Sequence, residues 1–103
     1  MTVRSDLEQR LGELPGLSRR RSRHGDGWSY FVGEREVAHF HGEERMDLRL
    51  TKDVIRQRSI EGRLDPRVSV RGPYAHWAAV RLVEVRDLAL ALDLVEEAVR
   101  SNG

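Results

Sequence analysis

The stretch Glu36 to Leu50, EVAHFHGEERMDLRL, decides the fold. Two strand-like runs meet at a glycine turn, and side chains alternate faces along a strand. His39, His41, Asp47 and Arg49 stand at odd positions and share one surface. Ala38, Phe40, Met46, Leu48 and Leu50 stand at even positions and are apolar, so that opposite face is the one to bury. One sheet therefore carries an oily face and a histidine-bearing face.

On the N-terminal side, the aromatic run Trp28 to Val32 reads as an inner strand, and Gly33 to Arg35 as a short hairpin loop. A same-parity register places Trp28, Tyr30 and Val32 beside Ala38 and Phe40. It leaves Glu36 as an acidic intruder on the oily side, at the sheet margin. Residues 18 to 23, SRRRSR, form a basic edge strand, and His24 to Gly27 a turn. Further out, Val3, Leu7, Leu11 and Leu14 have helical spacing. Ser5 and Glu8 are set as a capping box, and Pro15-Gly16 stops the helix.

On the C-terminal side, Thr51 caps a second helix through its hydroxyl, with Asp53 in the first turn, and that helix ends by Gly62. Asp65-Pro66 opens a short extended piece, Arg67 to Val70, and Gly72-Pro73 marks a turn. The strand His76 to Val83 alternates Ala78, Val80 and Leu82 against Trp77, Ala79 and Arg81. Leu88, Leu92, Val95 and Val99, widened by Leu90 and Leu94, form the stripe of a last helix that stops at Asn102-Gly103. The expected fold is α+β: an antiparallel sheet of five or six strands with helices packed on one face, in the order α-β-β-β-β-α-β-β-α, as one domain over residues 1–103.

A chain of 103 residues buries roughly 60 to 70% of its unfolded surface, enough for one core. Hydrophobic residues make up 39% and charged residues 34%, so the chain is polar for its length but keeps enough Leu and Val to fold, and disorder is not the expected state. With no cysteine, disulfide scaffolds, thiol nucleophiles and cysteine-rich zinc sites are excluded together. Eighteen basic against 17 acidic residues give a net charge of +1, so no global field draws the protein to nucleic acid or acidic lipid. The start, MTVRSDLEQRLGELPG, lacks a signal pattern and no long apolar run follows. The expected location is cytoplasmic, away from membranes.

Histidines two apart on a strand point the same way, and with a nearby carboxylate they suit a divalent metal, which makes His39, His41 and Asp47 the candidate ligands. A hydrolytic reading takes His39 as general base, Asp47 as its orienting acid and Ser29 or Thr51 as nucleophile. No glycine-rich loop is placed to form an oxyanion hole or to cradle a phosphate. Arg19, Arg20, Arg21, Arg23 and His24, with Trp28 and Tyr30, offer charge for phosphates and rings for bases. The same pattern also describes a solvated edge strand over core aromatics, and that reading disfavours nucleic acid. Trp77 and Arg81 form a separate ring and cation pair.

Taken with FVGEREVAHFHGEERMDLRL over Phe31 to Leu50, then Asp65-Pro66-Arg67, Trp77 and the leucine-rich closing helix, the chain resembles a family of small bacterial luciferase-domain proteins. In outline it is also similar to the MmcQ/YjbR-like proteins, sometimes described as DNA-binding. The first resemblance implies a shared fold and a role for Glu36, His39, His41, Asp47, Arg49 and Trp77. Its label implies an oxygenase with a bound luciferin, but a core of this size leaves little room for the deep apolar pocket such a ligand needs. The expectation is a ligand- or protein-binding module without a cofactor, using the exposed sheet face centred on these residues. Partners are a small molecule, a protein, or a second copy covering Phe31, Val37 and Trp77. The alternatives are a small metal-assisted enzyme, oxidative or hydrolytic, and a nucleic-acid-binding domain.

Overall fold

A computed structural model describes residues 2–23, 26–72 and 75–103, with the side chain of Asp26 excepted. The chain runs α1 (Val3–Leu11), β1 (Ser18–Arg21), β2 (Asp26–Val32), β3 (Arg35–Phe40), β4 (Arg45–Arg49), α2 (Lys52–Ile60), β5 (Val68–Val70), β6 (Trp77–Arg81) and α3 (Val85–Asn102). The six strands form one antiparallel sheet in the order β1-β2-β3-β4-β6-β5. This is the α+β order expected from the sequence. His24, Gly25 and Pro73, on which two of the expected turns rested, lie outside the described residues.

The even face is the core face. Ala38 pairs with Leu48 and Phe40 with Met46. Met46 and Leu48 in turn face Val80 and Ala78, so parity is kept across three strands. These side chains are buried together with Tyr30, Leu7 and Leu11 of α1, Ile55 of α2, and Ala91, Leu94, Val95 and Ala98 of α3. Each large apolar side chain so buried contributes about 1.5–3 kcal/mol. The helices thus cover one side of the sheet. The most buried line of α3 runs through Ala91, Leu94, Val95 and Ala98. Leu88, Leu92 and Val99 of the expected stripe flank it, only partly buried. Two alanines on that line leave no bulk to hold the helix off the layer beneath it.

Register slips twice between β2 and β3. Asp26 pairs with Phe40 but Ser29 with His39, leaving two residues against none, and Gly27 at φ +74 supplies the left-handed backbone this bulge requires. At the other end Tyr30 pairs with Ala38 but Phe31 with Glu36, so Val37 is the extra residue. The slip corrects the strict alternation. Glu36 leaves the oily side for the face of His39, and Val37 becomes fully buried. Gly33, φ +60, takes the first central position of the two-residue turn into β3, where a type II′ hairpin needs glycine.

Helix starts also differ from the expected caps. Thr2, not Ser5, caps α1, its hydroxyl accepting from the Ser5 N–H, while Glu8 pairs with Arg4. Thr51 precedes α2 but makes no side-chain cap, because its φ is +79. His76 supplies the partners from across the sheet: its carbonyl accepts the Thr51 N–H at 3.1 Å and its Nδ1 the Lys52 N–H at 3.0 Å. Asp87, in the first turn of α3, is wholly buried. Its Oδ2 accepts the Val83 and Glu84 N–H groups at 2.9 and 2.8 Å, and its Oδ1 accepts Arg67 Nη1 at 2.9 Å. Arg67 also forks onto both oxygens of Asp65. Asp65-Pro66-Arg67 is therefore a clamp fastening β5 to the start of α3. Among the described residues no helix is long and apolar enough to cross a membrane.

Candidate functional site

Three adjacent strands place Ser29, His39 and Asp47 in one row on the face opposite the helices, each directly across from the next. The row continues through Ala79 of β6 to Ser69 of β5. His41 stands two residues beyond His39 and Arg45 two before Asp47, so both share this face. The β3–β4 hairpin alone thus delivers two imidazoles, one carboxylate and one guanidinium to a single patch.

The contacts converge on Asp47. His39 Nε2 lies 3.3 Å and His41 Nε2 3.1 Å from the same oxygen, Oδ2. Arg45 donates from Nε to Oδ1 at 2.8 Å and from Nη2 to Oδ2 at 3.0 Å. Burial pushes the Asp47 carboxyl up, but the Arg45 hydrogen bonds and charge, then His41 and His39, outweigh it and hold the group below the usual carboxylate range. Asp47 therefore stays ionised. The two imidazoles meet edge to face at 5.0 Å, and the Trp77 ring lies 5.1 Å from that of His39. On the far side of His39, Nδ1 is 3.3 Å from Glu36 Oε1, outside hydrogen-bond geometry, and makes no hydrogen bond.

This patch is recessed rather than open, which corrects the exposed sheet face expected from parity. His39 is only 8% exposed, walled in by His41, Trp77 and Glu36, whereas His41 stays partly accessible. Beside it lies a cleft of about 820 Å³ lined by Glu36, His39, Arg45, Asp47, Ser69, Arg71 and residues 75–79. Its cause is side-chain size. Next to Asp47 the row offers only Ala79 and Ser69, while Trp77 stands two residues along the strand. A trough is left where a larger side chain would have filled the face.

Of the expected residues, Glu36, His39, His41, Asp47 and Trp77 come together. Arg49 does not: Nη1 donates to Asn102 Oδ1, and Asn102 Nδ2 donates back to the Arg49 carbonyl, tying β4 to the end of α3. Arg81 leaves Trp77 and turns toward Asp87 Oδ2 at 3.8 Å. Of the two candidate nucleophiles, Ser29 is buried with its Oγ unpaired, while Thr51 stands at the start of α2. Along β1, Arg19 and Arg21 lie over Trp28 at 4.7 and 5.5 Å and Arg20 over Phe31 at 4.5 Å, so cations and rings satisfy one another. Sequence reasoning missed Arg45, whose pairing with Asp47 at i, i+2 was readable, and Ser69 of β5, Ala79 of β6 and His76 just before β6, which lie far along the chain.

The family model described as "Luciferase domain" matches residues 34–98, more than half of the chain and all of β3 through most of α3. No curated protein and no solved structure matches.

Proposed function

The chain belongs to the luciferase-domain family, and we propose that it is a small-molecule-binding module whose ligand lies in the trough over Ala79 and Ser69, its polar end toward His39, Asp47 and Arg45. The observation that carries this is the trough itself. At about 820 Å³ it has the size of a small-molecule site, with one aromatic wall and a few convergent polar groups. Arg45 and Arg71 at the rim, with imidazoles beneath, suit a planar anion that can also lie against Trp77. Self-association has less support. Val37 is buried, and among the described residues the exposed large apolar side chains are Ile60 at the end of α2, Val83 in the connection before α3 and Val85 at its start. A cysteine-free chain suits the reducing cytoplasm as its place of work.

The planar anionic dye 8-anilinonaphthalene-1-sulfonate serves as a probe. Folded wild-type protein is expected to bind it saturably, with quenching of tryptophan fluorescence. Ala79→Phe, on the outer face, should keep its melting temperature and weaken the dye at least tenfold. Equal affinity in the two proteins would refute the trough as the ligand site.

A further inference from the structure

We infer that His39 Nε2, His41 Nε2 and Asp47 Oδ2 hold a divalent metal ion at the head of the trough, with Glu36 as the acceptor that orients His39. The three donor atoms lie within 4.8 Å of one another. Two of the three separations, 3.3 and 3.1 Å, already match the roughly 3–3.5 Å between two donors that each sit about 2.1 Å from one metal. A small closure of the two imidazoles completes the set.

Two further observations separate this cluster from an ordinary hydrogen-bonded patch. The first is His39 itself. It is more than nine-tenths buried, and its Nδ1 has no hydrogen-bond partner although Glu36 Oε1 stands 3.3 Å away. A buried polar atom left unpaired is costly. With a metal on Nε2, the ring proton resides on Nδ1 and Glu36 accepts it, the carboxylate–histidine–metal arrangement that fixes ring orientation and raises ligand basicity. The second is how Asp47 is held. Arg45 Nε keeps Oδ1, so Oδ2 can exchange its contact with Nη2 for the metal without losing its orientation.

The donors select the ion. Two imidazole nitrogens and one carboxylate oxygen, with no thiolate, suit Zn²⁺ or Fe²⁺ and suit poorly Cu(I), Ca²⁺ or Mg²⁺. Three protein ligands leave coordination positions open, as in catalytic rather than structural centres, and here the open side adjoins the trough. The metal set shares His39 and Asp47 with the proposed ligand site but not Ala79 or Ser69, so filling the trough and losing the metal are separable outcomes.

Zinc chloride titrated into untagged, chelator-treated protein tests it by calorimetry and thermal melting. One equivalent should bind, and at a hundredfold excess over Kd the melting temperature should rise by about 10 °C or more. His41→Ala and Asp47→Asn should each abolish binding while both apo proteins stay folded, with circular dichroism spectra matching the wild type. Glu36→Gln should weaken it about 10- to 100-fold, and Ala79→Phe should leave it unchanged. Absence of binding, or binding that survives both His41→Ala and Asp47→Asn and so uses His24 or His76, would overturn the site.

Discussion

Thr51 holds φ +79 and ψ 149, a combination that a β-branched residue seldom adopts and that costs on the order of 1–3 kcal/mol. The chain has one residue in which to turn from Leu50, buried beyond the end of β4, into α2. The Thr51 and Lys52 N–H groups are meanwhile pinned by His76. Thr51→Gly should therefore stabilise the protein by about 1 kcal/mol after the extra unfolded-state entropy of glycine is subtracted, raising the melting temperature by roughly 4–8 °C. Thr51→Val should change it by less than about 0.5 kcal/mol, since the hydroxyl makes no cap. A loss of stability in the glycine variant would show that the turn is unstrained. At this scale the sequence is least legible. Residue type and the Asp53 that follows mark Thr51 as a cap, just as Ser5 and Glu8 mark a capping box. Which residue caps depends on how the chain enters the helix, and a partner such as His76 comes from an element 24 positions away.

Elements were legible wherever periodicity was set by burial. Ala38 and Phe40 of β3 and the even residues of β4 and β6 face the helices as their alternation requires, and α3 buries Leu94 and Val95 of its apolar stripe with Leu88, Leu92 and Val99 beside them. What the pattern hides is the slip at Val37, because a bulge adds a residue without altering composition. Glu36 reaches His39 only through it. The clamp on α3 is equally hidden: Asp65, Arg67 and Asp87 are ordinary charged residues until β5 lies beside the start of the helix. Asp87→Ala leaves the Val83 and Glu84 N–H groups without an acceptor and Arg67 without one of its carboxylates. The expected loss is about 2–3 kcal/mol, combining a lost cap with lost hydrogen bonds to a charged group. That is a fall of roughly 10–20 °C in melting temperature. A shift under about 3 °C would mean that the clamp contributes no stability.

The whole molecule joins parts of different legibility. His39, His41 and Asp47 were placed on one face by parity within a single hairpin. The trough beside them needs Ala79 and Ser69, which arrive only because β6 pairs with β4 and β5 takes the edge. The same long-range assembly sets how the fold responds to acid. Hydrogen bonds from the Arg67 side chain and backbone N–H hold Asp65 at about 2. For Asp87, burial acts upward but is outweighed by the Glu84 N–H, Arg67 and the Val83 N–H, which also bring it to about 2. In the unfolded chain both revert to about 3.9. A carboxyl with a depressed folded pKa contributes stability that is complete above the unfolded value, roughly pH 5 and higher. It is lost as pH falls through 3.9 toward the folded value, where the unfolded state binds the extra protons. Asp47, also held below its usual range, acts in the same direction. Denaturation midpoints should therefore fall steadily from pH 5 to 2. Asp87→Asn should start lower at pH 7 but fall less steeply, because one proton-linked carboxyl is gone. A midpoint that stays level down to pH 2.5, or an equal slope in the Asp87→Asn protein, would mean that this clamp does not carry the acid sensitivity of the fold.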